Sequence, residues 1–375
     1  MRVLVCIPCL LTGGTEIQTL SLVEALVAAG HEPVVACYFE HTDAMVARYR
    51  GAGADVRLLS PAGTRPRGVA ATTAMLWRGL RDIVRDTRPH AAHVQYMAPG
   101  ALPILILRAL GVRRIVATAH TDGDIYSPRG LKIIRLLSRH VLSAFQCITE
   151  RAERSFFGSS ALLSPEAPAK RHGHFTIYNN IPSHIALRAT PRAKDHAEPA
   201  TVGVVSRLEH IKGMDLVVPA FAEALRSRPG LRLLVVGDGS QRSLMERQAA
   251  EAGIADAVAF TGRKSQEQLS DCYDRIDILL MPSRSEGFGL TAVEGMARGC
   301  VPVVADTGGL PEVVRDGVSG LLHRPGDASD IAAKILILTD TPSLLSSMSD
   351  AALSRAAAFT PDAYAQKIRV LYESL

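Results

Sequence analysis

The sequence has no uninterrupted run of about 18 apolar residues, the length a membrane-spanning helix needs, so no spanning helix is expected. It lacks a G-x-G-x-x-G after its first apolar run, which argues against a dinucleotide-dependent oxidoreductase. No internal repeat occurs, and no low-complexity segment beyond Ala-rich helix. Cysteine is sparse: six residues, mostly at apolar positions. Cys6 and Cys9 have C-x-x-C spacing, yet no second ligand pair lies at zinc-finger distance. Buried or strand-end thiols in a reducing cytoplasm are therefore expected. The opening MRVLVCIPCLLTGG runs into GGTE without a cleavage site, and reads as a buried first strand instead of a leader peptide.

With 375 residues, 47% hydrophobic and 21% charged, the composition describes a folded chain too long for one comfortable core, so two domains are expected. The net charge of +5 conceals an asymmetry. Residues 1–190 hold 22 Lys and Arg against 13 Asp and Glu, and the remainder holds 20 against 24. A basic N-terminal half suits an anionic acceptor or membrane surface, and equally suits solubility alone. No nucleic-acid partner is expected.

Short apolar, β-branched runs at 2–9, 33–39, 56–59, 91–95, 115–119, 145–149 and 175–178 read as strands. Helical stretches such as 69–83 and 102–110 alternate with them, which predicts a parallel sheet covered on both faces. Residues 186–200, ALRATPRAKDHAEPA, are polar and without period, and read as the interdomain linker. Beyond it, 201–206, 233–236 and 258–261 are further strands. Arg207 and Lys212 follow the first of these and could face a diphosphate. Residues 130–141, GLKIIRLLSRHV, mix Ile133, Leu136 and Leu137 with Lys132, Arg135 and Arg139. With Trp77, Arg78, Arg81 and Arg85, this segment fits either an anionic membrane contact or the solvated face of a core helix.

Residues 283–309 organise the rest. They lie between apolar runs 276–281 and 301–305, and hold a Gly-rich loop followed by a helix at 290–298, a strand–loop–helix–strand crossover. Gly289 and the helix start would let a ligand anion approach the backbone. Glu286 stands in the loop, and Glu294 lies two turns along the helix, where a carboxylate could accept from vicinal hydroxyls such as those of a ribose.

This segment, EGFGLTAVE followed by GCVPVVA and Gly308-Gly309, resembles the E-x7-E motif of the retaining family 4 glycosyltransferases. The likeness extends over nearly the whole chain. Arg207-Leu-Glu-His-Ile-Lys212-Gly213 resembles the family's G-R-L-x-x-x-K-G signature, with Ser206 at the usual Gly. Ile177-Tyr-Asn-Asn-Ile181 resembles its I-x-N-G-I, with Asn180 for Gly.

The resemblance implies the GT-B architecture, two doubly wound Rossmann-like domains facing across a cleft. It divides the chain into an acceptor domain at 1–190, a nucleotide-sugar domain at 200–358 and a last helix at 359–375 returning to the first domain. It implies catalytic roles for Glu286, Arg207, Lys212 and His120. It implies donor or diphosphate contacts at Gly13, Gly14, Gly237, Arg263, Lys264, Phe288, Gly289, Leu290 and Glu294. No metal is expected, because nothing besides Asp122-Gly-Asp124 matches the metal-dependent glycosyltransferase fold. The implied reaction is retaining transfer from a UDP-sugar, or a GDP-sugar, to a glycan, glycolipid or lipid-linked acceptor of envelope polysaccharide synthesis. A nucleotide-sugar 2-epimerase of the same fold and a non-catalytic nucleotide-sugar-binding partner are the alternatives.

Overall fold

The computed structural model describes residues 1–95, 101–168, 170–190 and 199–375. They form two compact units, Met1–Asn180 with Pro361–Leu375, and Ile181–Thr360. Most of the sequence-read linker, residues 191–198, lies outside the described residues. Its first part belongs to the second unit: Arg188 N–H donates to Ala297 O (3.0 Å), and Arg188 and Arg298 both pair with Asp274.

The first unit runs β1 (Arg2–Ile7), α1 (Gly14–Ala28), β2 (Glu32–Cys37), α2 (Asp43–Gly51), β3 (Asp55–Leu58), α3 (Val69–Thr87), β4 (Ala91–Gln95), α4 (Ala101–Ala109), β5 (Ile115–Ala119), α5 (Pro128–His140), β6 (Ala144–Cys147), α6 (Glu150–Phe157) and β7 (Gly173–Thr176). The strands pair in parallel in the order β3-β2-β1-β4-β5-β6-β7. The continuous apolar run of β1 follows from burial on both faces. Val3, Val5 and Ile7 point into a core with α1 and α2, and Leu4 and Cys6 into the opposite core with α3 to α6.

The second unit runs β8 (Thr201–Val205), α7 (Met214–Ser227), β9 (Arg232–Val236), α8 (Arg242–Glu251), β10 (Val258–Gly262), α9 (Gln266–Asp274), β11 (Ile278–Met281), α10 (Leu290–Ala297), β12 (Val301–Ala305), α11 (Leu310–Val313), β13 (Leu321–His323), α12 (Ala328–Asp340) and α13 (Pro342–Ala356). Its sheet is again parallel, in the order β10-β9-β8-β11-β12-β13. The short β13 was not expected from the sequence, being three residues long and ending in a polar residue.

The final helix, α14 (Pro361–Glu373), rejoins the first unit and packs on α1. Tyr364, Ile368, Leu371 and Tyr372 enter the core that Val3, Val5 and Ile7 face. Buried His93 bridges the Tyr372 hydroxyl (2.9 Å) and Thr118 Oγ1 (2.7 Å). Burial, with His120 nearby, pushes the His93 imidazole down to about 3, so it works as a neutral bridge. Ile368 is fully buried, and Ile368→Ala is expected to cost about 2–5 kcal/mol. A urea titration of the first unit's transition checks it.

Parallel pairing gives each unit one edge where all strands end. The strand order reverses between β1 and β4 and between β8 and β11, and at such a reversal the loops part and leave room for a ligand.

Candidate active site

The loops after β8 and β11 diverge at the reversal in the second unit and are tied together by charge. Lys212 Nζ lies 2.8 Å from Glu286 Oε2, and Ser283 Oγ donates to the same oxygen at 3.4 Å. The two charged side chains are 22% and 15% exposed, so water is thinned around the pair but a ligand can reach it. Arg284 braces the same loops, donating to both carboxylate oxygens of Asp215 (2.7 and 2.8 Å) and to His210 O.

Glycines permit the close approach. At Gly213, φ is +69° and a Cβ would fall 1.9 Å from Pro282 O, so only glycine lets the two loops meet here. Gly308, in the loop after β12, has φ +55°, and its Cβ would fall 1.8 Å from Glu286 O. The Gly309 N–H donates to that carbonyl at 3.1 Å.

Helix α10 starts from Gly289 at φ +102° without a side-chain cap. Its first N–H groups have no intrahelical acceptor and favour negative charge. Phe288 is buried edge-on against Phe359, which anchors the loop just before this helix start. Glu294 lies inside α10, only 8% exposed, and accepts from the Tyr273 hydroxyl of α9 at 2.6 Å. Burial pushes its carboxyl up to about 7, against a smaller opposing pull from the Tyr273 hydrogen bond. Folded, the carboxyl therefore keeps a proton that the unfolded chain releases from about 4.5, and stability falls as pH rises from there to about 7. Glu294→Gln is expected to flatten this slope, measured as the difference between urea midpoints at acid and at alkaline pH.

The remaining sequence-predicted residues sit on the same edges without joining the Lys212–Glu286 pair by contact. Gly237 (φ +132°) lies where a Cβ would meet Ser206 O at 1.8 Å, and its N–H donates to Gly262 O, so it gathers the ends of β8, β9 and β10. Arg207 is exposed, with Glu209 as a charged neighbour. Arg263 and Lys264 follow β10, the edge strand, and are exposed and partly exposed.

In the first unit, His120 directly follows β5 and its Nε2 bonds Gln95 Oε1 at 2.7 Å. Burial lowers it to about 4, so at neutral pH it is an uncharged imidazole. Gly13 caps α1, and a Cβ there would crowd Glu16 Oε2 at 2.4 Å. Gly14 is exposed in the first turn.

Residues 189–355 match a family model described as glycosyl transferases group 1, and residues 13–153 match a glycosyl transferase 4-like domain. The two matches together take in most of the chain. A D-inositol 3-phosphate glycosyltransferase of Segniliparus rotundus is 30% identical over 308 residues, 76% of this chain and 66% of that protein. Both halves of the chain thus carry glycosyltransferase-family domains. A second D-inositol 3-phosphate glycosyltransferase, from Nocardia farcinica, is 38% identical over 182 residues, 46% of this chain and 40% of that one. The chain thus spans less than two thirds of the length of these curated relatives.

The chain shares its fold with GT-B glycosyltransferases of known structure. Anabaena HepE, solved in complex with UDP and glucose, superposes with a TM-score of 0.78 at 19% identity, covering 100% of both chains. Sucrose-phosphate synthase from Thermosynechococcus elongatus gives 0.75 at 21% identity, covering 100% of this chain and 98% of that one. Three residues that hold the site are not distinguished by sequence reading: Arg284, Asp215 and Tyr273. Arg284 lies inside the 283–309 segment and Asp215 two residues beyond the motif ending at Gly213, neither with a distinguishing type. For Tyr273 the available signal was the Ser265-x-x-Gln268 capping box that opens α9.

Proposed function

We propose that this glycosyltransferase moves a sugar from a nucleoside diphosphate sugar, UDP by preference, to an acceptor with retention of anomeric configuration. The observation that carries this reading is the Lys212–Glu286 pair at the strand-order reversal, beside the uncapped start of α10. Breaking a glycosyl–phosphate bond puts negative charge on the leaving diphosphate and positive character on the sugar ring. In this reading Lys212, Arg207 and the α10 N–H groups stabilise the first, Glu286 orients the sugar hydroxyls, and Glu294 accepts from the ribose. With cations and backbone dipoles supplied by the chain, turnover is expected to survive a chelator. The UDP preference is supported by the UDP named with the Anabaena structure.

Thermal unfolding with UDP, GDP, ADP and NAD added separately tests the donor. A ligand at 100 times its Kd stabilises by about 2.7 kcal/mol, and a selective shift with one diphosphate names the base. No shift with any would sink the reading. Incubation with the matching sugar nucleotide alone separates transfer from 2-epimerisation, since an epimerase converts its donor without an acceptor. Proton NMR of the product's anomeric centre reports retention or inversion. Inositol phosphates, glycans and lipid-linked glycans form the acceptor panel.

Contact with an anionic membrane is proposed for α5, where Ile133 (54% exposed) and Leu136 (60%) stand among Lys132, Arg135 and Arg139. The basic residues of α3 fit this less well, because Arg81 and Arg85 already pair with Asp82 and Asp86. Among the described residues no helix is long and apolar enough to cross a membrane. Co-sedimentation with phosphatidylglycerol vesicles at low salt is expected, lost with Leu136→Glu and absent with phosphatidylcholine.

A further inference from the structure

Glu294 is a deeply set carboxylate with unequal oxygens. Oε2 accepts from Tyr273, and Oε1 has no hydrogen-bond partner among the described residues. Tyr273 is itself fully buried, held through its backbone by the Cys300 thiol, which donates to Tyr273 O at 3.2 Å. Burial disfavours ionisation of the phenol, and the Thr291 side chain, from the first turn of α10, opposes this weakly. The single phenol hydrogen goes to Glu294 Oε2 at 2.6 Å.

We infer that Tyr273 is a positioning residue for the nucleotide site: its phenol hydrogen pins Glu294 Oε2 and turns Oε1 toward the vicinal hydroxyls of a nucleoside diphosphate as an ionised acceptor. This rests on the ribose-binding reading of Glu294. The chemistry follows from hydrogen-bond counting. A diol donates and needs an acceptor, whereas a protonated carboxyl offers a hydrogen of its own. Burial favours the protonated form, and the Tyr273 hydrogen bond is the contact that opposes it.

Among the described residues, no charged group on the other elements packed on α10 shifts the Glu294 carboxyl. On α11, Glu312 uses its backbone carbonyl to accept from Arg355 of α13, whose guanidinium also holds Val313 O and covers the Phe359 ring. On α13, Ser349 donates to Gly299 O. Cys300, just before β12, acts on Tyr273 and not on Glu294.

The test is UDP binding by calorimetry from pH 5.5 to 8.5 on the full chain, set against 2′,3′-dideoxy-UDP, for wild type, Tyr273→Phe and Glu294→Gln. In wild type, UDP affinity is expected to fall as pH drops through about 7, while the dideoxy compound binds weakly and without that limb. In Glu294→Gln both the limb and the preference for UDP disappear. In Tyr273→Phe the limb moves to higher pH, and at pH 7 the UDP preference drops about tenfold, the loss of one charge-assisted hydrogen bond. Thr291→Val is expected to shift the limb the same way by less, and serves if Tyr273→Phe does not fold. A Tyr273→Phe or Thr291→Val protein with the wild-type limb and wild-type preference overturns the inference and leaves the ribose reading standing. Glu294→Gln with an unchanged preference overturns the ribose reading itself. A lowered Tm alone, with limb and preference intact, marks Tyr273 as structural and also overturns the inference.

Discussion

Lys212→Ala is expected to lower turnover by about 10²-fold or more, with the fold intact by circular dichroism. The ammonium is the only side-chain cation bonded to Glu286 among the described residues, at 2.8 Å, and it stands beside the start of α10. In the proposed reaction it meets the charge that grows on the departing diphosphate, so its loss is felt more in kcat than in donor affinity. The cost to stability is about 1–3 kcal/mol, because the largely buried Glu286 carboxylate loses its charged hydrogen-bond partner. Steady-state kinetics with the donor named by thermal shift decide the matter. Near-wild-type kcat would remove Lys212 from the chemistry and leave the ion pair a structural tie between two loops.

Gly308→Ala is expected to damage stability and turnover together. The backbone there is left-handed at φ +55°, which costs a side-chain-bearing residue about 1–2 kcal/mol. The added methyl would also lie 1.8 Å from Glu286 O, so the Glu286 backbone must move. Overpacking of this kind costs about 1–3 kcal/mol more, and a displacement near 1 Å at a reacting group costs on the order of 10²-fold in rate. Gly317→Ala is the control: φ is +69° there but nothing lies within 4 Å, so only the backbone strain applies and turnover is unchanged. Urea denaturation and kinetics on the two variants separate strain from displacement. Equal loss of turnover in both would show that the Gly308 contact does not hold Glu286 in place.

Much of this is legible in the sequence. The twelve longer strands announced themselves as apolar runs because a parallel sheet covered by helices is buried on both faces, and only short β13 escaped. The crossover around α10 was readable from Gly289, the helical stretch and the run Val301–Ala305. The last helix showed its face through Tyr364, Ile368, Leu371 and Tyr372. The first domain's end was read late, since nothing local distinguishes a polar tether from residues such as Arg188 that bind a distant Asp274.

What the sequence by itself determined is the set of elements, their parallel arrangement and the positions of Glu286, Glu294, Arg207 and Lys212 at strand ends or in the following helix, because periodicity and loop chemistry are local properties of a chain. Tertiary structure alone decided the partners. Lys212 meets Glu286 across 74 residues and Tyr372 meets His93 across 279. Arg284 clasps Asp215 while Arg207, in the same loop region, stays exposed. Tyr273 carries no motif, yet it is the group that holds Glu294. Hydrogen bonds and ion pairs act over about 3 Å, so which side chains share them depends on how the loops close at the strand-order reversal, and no spacing along the chain encodes that.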